Sequence, residues 1–417
     1  MSASIPDVTV VGAGVVGVAT AWAAARRGLS VELVDRAEGP AQEASHANGG
    51  QLSYAYTDAM AGPALWKQLP GILGGRDPAF RLRHAGRRAI WPWGLSLLTN
   101  ATANRMRRNT LRTLGMAQDS QRAMQELLER HPIEFTHRTA GKLHLYFSEA
   151  TLRAGARMVE LKRPHGVEQR TLDPGEAIGI EPALEQVSGI HGAVYSPEEA
   201  VGDPWLFSTG LLETLCAHYP VRTRFGFDVR SLRRQGGRWQ LDSREDDTCH
   251  ARHLIVCTGV ESASLLRPLG IRLPLMAIKG YSLTAPRGPR APATSITDTA
   301  RKLVFCRLGD QVRIAGMADI NNWDPSVDPA RFEQFLALAR QSLPEAADYS
   351  RIQSRWAGLR PSTPDSVPII ANLREGLTCN VGHGMLGWTL AMGSAEQALQ
   401  AALAEDPPRL AGRGSMA

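Results

Sequence analysis

Three glycines and one acid carry the first chemistry in this chain. In VTVVGAGVVGVATAWAAARRGLSVELVDR, the β-branched run Val8 to Val11 leads into Gly12, Gly14 and Gly17, and a second apolar run, Val31 to Val34, ends in Asp35. In such a G-x-G-x-x-G group the first glycine permits a sharp exit from a strand. The second removes a Cβ so that backbone can approach a pyrophosphate, and the third lets a helix pack close to the strand. The first amides of that helix then face the phosphates. A carboxylate about 20 residues further on accepts hydrogen bonds from ribose hydroxyls and repels a 2′-phosphate. Arg36 beside it weakens that discrimination only slightly. The spacing predicts strand, turn, helix and strand around a dinucleotide other than NADP. FAD and NAD both satisfy it.

The elements that must position this group are scattered along the chain. A helical pattern over 111–130 stops before Pro132, GKLHLYF alternates as a strand does, and GDPWLFSTGLLETLCAHY is a long apolar-periodic helix behind a capping aspartate. VRTRFGFDVRSLRR and RWQLDS pattern as a hairpin, HLIVCTG as a buried strand ending at Gly259, and 331–341 as a helix. Near the end, GLTCNVGHGMLGWTLAMGSAEQALQAAL repeats the order strand, glycine loop, helix. An NAD domain would normally form one continuous βαβ series in the first third to half of the chain, and none follows Asp35. Glycine-ended strands return instead at Gly259 and Gly382, which favours FAD, a long cofactor embedded through the whole domain. The expected fold class is α/β. A discontinuous Rossmann-like FAD-binding domain (1–60, 155–265 and 346–417) is joined to a second α+β substrate domain on a mixed or antiparallel sheet (61–154 and 266–345).

Composition sets the frame. A chain of 417 residues that is 43% hydrophobic can bury two cores. Its five cysteines (Cys216, Cys249, Cys257, Cys306, Cys379) are scattered and never spaced C-x-x-C, so neither a disulfide framework nor a metal site is expected. The first residues lack a basic and apolar leader, and no uncharged run approaches the ~20 residues of a spanning helix, which points to a cytoplasmic protein. Charge is uneven. Between Lys67 and Arg112 there are ten cations (Lys67, Arg76, Arg81, Arg83, Arg87, Arg88, Arg105, Arg107, Arg108, Arg112) against Asp77 alone, in a chain of net charge +6. Trp66, Trp91, Trp93 and several leucines are interleaved with them. That mixture over 66–112 suits the headgroup region of an anionic membrane; it equally suits a solvated face over a helical subdomain. No nucleic-acid motif accompanies it.

Longer stretches carry a family resemblance. VVGAGVVGVATAW, SHANGGQLS (Ser45 to Ser53), LIVCTG, KGYSLT, WAGLRPSTPDSVPII and VGHGMLGWT resemble the FAD-dependent amine oxidoreductases of the D-amino-acid oxidase and glycine oxidase superfamily. Their order is most similar to that of bacterial D-amino-acid dehydrogenases of the small-subunit type, over about Val8 to Ser394. The resemblance implies FAD as cofactor, with Gly12, Gly14 and Gly17 on the pyrophosphate, Asp35 and Arg36 at the adenosine ribose, and Val229 presenting backbone to the adenine. Ser45, Asn48, Gly49, Gly50 and Gln51 would pass beside the flavin, and Gly259 would border the cofactor. Gly382, His383, Gly384, Met385 and Leu386 would form a loop over the pyrimidine side of the ring, ahead of a helix whose dipole favours negative charge there.

For the substrate, the resemblance assigns a carboxylate anchor to Arg360, the arginine of GLRP, because a planar guanidinium fixes direction as well as charge. An ion pair with Asp365 is the plain structural alternative. His383, Tyr281 and Tyr54, with Tyr56 nearby, are the remaining candidates for the reacting pocket; a buried or backbone-held role is the alternative for each. One departure stands out. Where the family commonly places a tyrosine before KLVFCR, this chain has Ala300, Arg301 and Lys302. The implied reaction passes a hydride from the substrate Cα to flavin N5, giving an imino acid that water converts to a 2-oxo acid and ammonia, with no general base needed for the hydride step. Electrons would leave to a membrane quinone or another acceptor, placing the protein peripherally on the cytoplasmic face of the inner membrane. A sibling acting on a narrower amine (cis-4-hydroxy-D-proline, glycine or sarcosine) and a noncatalytic FAD-binding partner subunit are the competing readings.

Overall fold

The computed structural model describes residues 5–75, 77–83 and 90–404. Arg76, Arg87 and Arg88 of the basic stretch lie outside them. The short apolar runs form a six-stranded sheet in the order Val221–Arg224, Val31–Val34, Val8–Val11, His253–Val256, Leu377–Val381, Ile369–Arg374. All neighbours are parallel except the last pair. Parallel strands are covered on both faces, and the side chains here divide by the period of two. Val8, Val10, Leu33 and Ile255 point into a core shared with the helices Val15–Ala25, Ala103–Arg130, Pro204–His218 and Gly387–Leu403. Val11, Val34, Leu254 and Val256 point to the other face, under a three-stranded antiparallel sheet, Val229–Gln235, Arg238–Ser243 and Thr248–Ala251.

A larger, mixed sheet faces this unit. Its order is Ser354–Ser362, Met276–Pro286, Gln311–Ile320, Leu303–Leu308, Ser295–Asp298, Lys142–Tyr146, Gly192–Ser196 and Arg170–Leu172, with Phe80–Leu82 alongside Gln311–Ile320. Its outer face is closed by the helix Pro329–Ser342, whose Phe332, Phe335 and Leu336 join Leu283, Phe305 and Ile314 in a second core. A small third sheet pairs Gln51–Leu52 and Arg138–Thr139 with Ala200–Val201.

The α/β class, the broken nucleotide-type fold and the mixed second sheet match the sequence expectation. Strand pairing and helix packing group three segments differently from the expected division. Arg170–Leu172 and Gly192–Ser196, expected in the FAD domain, complete the larger sheet. Ser354–Ser362, also expected there, pairs along its whole length with Met276–Pro286. Ala103–Arg130, expected in the substrate domain, packs instead against Gly387–Leu403 and shares the first core through Met116, Ala117, Met124 and Leu127. That helix also starts earlier than its apolar periodicity suggested. Thr102 caps it by accepting from the Arg105 amide, ahead of a first turn too polar to show a buried face.

The approach of those two helices rests on Gly393. A Cβ there would lie 2.4 Å from the Met116 carbonyl oxygen and 2.8 Å from the Ser120 amide nitrogen, both backbone atoms that cannot swing aside. Gly393→Ala should therefore force the helices apart and lower stability by about 1–3 kcal/mol, the usual cost of overpacking. Urea unfolding of the purified variant checks this, and an unchanged midpoint would show that the interface has slack.

Candidate functional site

A cavity of about 870 Å³ runs between the two sheets. At one end the glycine turn forms its floor. Gly12 leaves the first strand at φ +102°, and a Cβ on it would meet the Cys257 carbonyl oxygen at 2.7 Å. A Cβ on Gly17 would stand 1.7 Å from the Gly12 carbonyl oxygen, so only glycine lets the helix Val15–Ala25 sit this close to the strand. Gly14 differs: its missing Cβ faces only the Ser45 hydroxyl, at 3.5 Å, and otherwise opens on the cavity. This is the cradle a pyrophosphate needs, beside the first amides of the helix. Ser45 Oγ accepts from the Val15 amide at 3.1 Å. Asp35 accepts from the Ala13 amide at 2.5 Å and the Ala37 amide at 2.8 Å, which fixes the carboxylate on the cavity wall, while burial raises its pKa. Arg36 pairs with Glu43 at 2.7 Å on the same rim, and Val229 and Gly259 also line the cavity.

In the middle, the segment after the second strand passes under the larger sheet. Ala47 O accepts from Ser282 Oγ at 2.6 Å. Gly49 is pressed against Val304 and Ala315, and Gly50 against Leu308, at distances of 2.9–3.5 Å from where a Cβ would stand. Gln51 Nε2 donates to Ser295 Oγ at 2.6 Å. Ser53 Oγ accepts from Lys142 Nζ at 2.7 Å. Opposite lies the late glycine loop. His383, Gly384, Met385 and Leu386 face the cavity, while Gly382, at φ +84°, makes the turn behind them.

The far end holds Arg360. Its guanidinium lies over Gly280, where a Cβ would be 2.2 Å from Nη2, and Nη1 donates to the Met317 carbonyl at 2.9 Å. That carbonyl is presented by a bulge. Register shifts between Lys279↔Asp319 and Tyr281↔Gly316, and Met317 takes a left-handed φ of +64°, a conformation a non-glycine residue holds at a cost. Among the described residues no carboxylate pairs with Arg360, so the expected alternative of an ion pair with Asp365 does not form. Burial alone lowers its pKa to about 10, which leaves it cationic at neutral pH. The cavity lining includes the apolar side chains of Leu65, Trp93, Leu97, Ile278, Ile320 and Trp323, of which Ile278 stands opposite Arg360 in register. Trp93 Nε1 donates to the Ser362 carbonyl at 3.1 Å, tying the helix Ile90–Asn100 to the arginine strand.

The cavity thus brings together Gly12, Gly14, Asp35, Arg36, Ser45, Asn48, Gly49, Gln51, Val229, Gly259, Tyr281, Arg360, His383, Gly384, Met385 and Leu386. Gly17, Gly50 and Gly382 shape its wall from behind. Tyr54 is a correction. It does not line the cavity, because Glu199 accepts from the amides of Tyr54 and Ala55 at 2.6 and 2.9 Å and turns that side chain into the first core; Tyr56 takes the lining place. Tyr281 lines the cavity, yet its hydroxyl lies 3.4 Å from Asp319, in the network that Arg331 completes at 2.9 Å. The His383 ring bonds Ser394 Oγ at 2.9 Å, and burial lowers its pKa to about 3, so it is neutral. Sequence reasoning missed Gly280, Met317 and Lys142. Only Gly280 left a signal, a glycine inside the strand pattern KGYSLT.

Comparison with known proteins gives the family and the fold. The family described as FAD dependent oxidoreductase matches residues 7–401. A D-amino acid dehydrogenase of Paramagnetospirillum magneticum is 39% identical over 392 residues, 93% of this chain and 92% of its own. D-amino acid dehydrogenase 2 of Pseudomonas aeruginosa is 39% identical over 418 residues, 98% of this chain and 99% of its own. Among solved structures, glycine oxidase from Geobacillus kaustophilus superposes with a TM-score of 0.72 at 20% identity, covering 95% of this chain and 94% of the other.

The contact of Arg360 with Gly280 gives a direct test of the expectation that Arg360 anchors a carboxylate. Gly280→Ala should displace the guanidinium and weaken binding of a small carboxylate such as propionate at least tenfold, about 1.4 kcal/mol, with the flavin still bound. Titration followed by flavin absorbance measures it, and an unchanged affinity would remove this contact from the site.

Proposed function

The chain belongs to the family of FAD-dependent oxidoreductases, and we propose that it oxidatively deaminates D-amino acids to 2-oxo acids and ammonia. The observation that carries this reading is Arg360: a cation on the cavity wall with no carboxylate of its own among the described residues, in a chain that shares 39% identity with two D-amino acid dehydrogenases over nearly all its length. Bound FAD supplies the two-electron acceptor. The residues of this chain that fit it are the open Gly14 cradle, Asp35 at the ribose end, the Ser45 to Gln51 segment and the loop from His383 to Leu386.

The remaining work falls to the protein. Arg360 takes the substrate carboxylate in two parallel hydrogen bonds and so fixes which substituents of Cα point across the cavity. Selection of the D configuration follows from that anchor. No side chain is required as a base for loss of the Cα hydrogen as hydride, and His383, neutral and bonded to Ser394, is held as wall. Leu65, Trp93, Leu97, Ile320 and Trp323 favour substrates with apolar side chains. They also exclude water around the reacting carbon.

Electron delivery to a membrane acceptor such as a quinone has separate support. Trp66, Trp91 and Leu95 are 53%, 63% and 62% exposed on the helices Ala64–Leu73 and Ile90–Asn100. Lys67, Arg105, Arg107, Arg108 and Arg112 are exposed in the same stretch, and no helix among the described residues is long and apolar enough to cross a membrane. We read this face as a peripheral contact with anionic lipid.

Under anaerobic conditions, apolar D-amino acids should bleach the oxidised flavin, and their L-enantiomers should not. Bleaching confined to glycine, sarcosine or a hydroxy-D-proline would move the assignment to a narrower amine, and bleaching by no amine would overturn it in favour of a noncatalytic subunit. Arg360→Ala should raise KM about 100-fold or more, in line with the 2–5 kcal/mol cost of removing one partner from a buried charge pair, with FAD content unchanged. For the membrane face, wild-type protein should co-sediment with phosphatidylglycerol vesicles at low salt and Trp91→Ala should do so less. Equal recovery in the supernatant with and without vesicles would exclude the contact.

A further inference from the structure

Lys142 has no part in the reading above, yet it lines the same cavity with its side chain almost wholly buried, at 2% exposure. An ammonium group in such a place is costly unless it is paired. Among the described residues its ammonium donates to Ser53 Oγ alone, at 2.7 Å, and no carboxylate forms an ion pair with it. Two acids act on it through space without forming an ion pair, Glu199 more strongly than Asp58, and the hydrogen bonds of both go to other groups. Glu199 accepts from the Tyr54 and Ala55 amides, and Asp58 accepts from Lys162 Nζ at 2.9 Å, which also donates to the Ala55 carbonyl at 2.8 Å. The other groups facing Lys142 are the Tyr56 ring, 4.8 Å from Nζ, the neutral His144 and the Cys306 thiol, none of which carries a negative charge. Burial lowers the Lys142 pKa to about 8, so the group is still mainly charged at neutral pH.

Two observations say which anion the ammonium would meet across the cavity. Along the larger sheet, Lys142 stands three strands from Gln311–Ile320, whose Met317 carbonyl holds the Arg360 guanidinium, roughly 14 Å at ~4.8 Å per strand. A small amino acid held by Arg360 cannot span that distance. Conversely, the Ser53 amide donates to Thr389 Oγ1 at 2.9 Å, and Gly387, Trp388 and Thr389, the first residues of the helix Gly387–Leu403, line the cavity. The buried ammonium and the positive end of a helix dipole therefore converge on one stretch of wall, beside Gln51 and the late glycine loop.

We propose that Lys142 is the buried counter-charge for the pyrimidine edge of the flavin, stabilising the negative charge that this edge carries when the ring is reduced. The inference rests on FAD occupying the cavity and is independent of which amine is the substrate. Two electrons and one proton arriving on the ring leave it with one negative charge, which the ammonium and the helix terminus then share.

The test uses the holoenzyme and sulfite, a probe that adds to oxidised flavin and leaves the ring anionic. Lys142→Met should retain FAD at wild-type stoichiometry, bind sulfite at least tenfold more weakly and have a two-electron flavin potential about 30 mV more negative for each tenfold. Lys142→Gln, which keeps a hydrogen-bond partner for Ser53, should show the same losses and guards against a packing defect in the methionine variant. Unchanged sulfite affinity and potential in either FAD-loaded variant would overturn the proposal. Because neither readout involves an amine, that result would leave the substrate assignment untouched.

Discussion

Between the two sheets runs the segment Ala47 to Ser53, and its thickness sets how near the halves of the molecule can come. It crosses the strands of the larger sheet one after another, meeting Ser282, then Val304 and Ala315, then Ser295, then Lys142. On its other side Thr389 takes the Ser53 amide, and Gly202 donates its amide to the Gly50 carbonyl at 2.9 Å. Glycine at 49 and 50 is what allows this: any Cβ would press on Val304 or Leu308, and position 50 also sits at φ +72°. A thicker segment would wedge the sheets apart and open the cavity to water. A thinner contact could not hold the glycine loop and the arginine strand in fixed relation. The distance between the Gly12 to Gly17 turn and Arg360 is therefore determined by backbone, which is stiffer than any pair of side chains.

How much of this was legible beforehand depends on whether a feature is local in the chain. The dinucleotide end was readable because all its constraints fall within Val8 to Asp35: a turn with φ near +100°, a helix against a strand, and an acid one strand away. The fold class was readable from glycine-ended strands that recur. What failed was the assignment of strands to sheets. Ser354–Ser362 precedes the two strands that lead to the glycine loop and was grouped with them, yet its partner is Met276–Pro286, and no local pattern says which of two sheets a strand will join. Tyr54 failed for another reason. Alternation decides which way a side chain points only in regular strand, and the chain leaves Gln51–Leu52 for irregular structure where Glu199 grips two successive amides. The Met317 bulge was invisible because it arises from a mismatch between two strands and belongs to neither sequence alone.

The treatment of charge separates scaffold from site. Buried cations that serve only the fold have acids at hand: Arg331 with Asp319 at 2.9 Å, Arg313 with Asp203 at 3.0 Å, Lys162 with Asp58 at 2.9 Å. Lys279, which donates to the Ser326 carbonyl, stands among Asp319, Asp324 and Asp328. Arg360 has no such neighbours; burial is the one influence on it, and a carbonyl is its only hydrogen-bond acceptor among the described residues. A chain under selection for stability alone would gain by adding an acid beside it or replacing it with an apolar residue, since an unpaired buried charge costs several kcal/mol. The bulge at Met317 and the glycine at 280 make the opposite investment, holding the guanidinium uncompensated and aimed at open space. Such an arrangement becomes favourable only when an anion enters the cavity. On the proposed reading, the strain at Met317 and the desolvation of the guanidinium are offset when a substrate carboxylate pairs with it, and the same contacts set the direction in which that carboxylate is held.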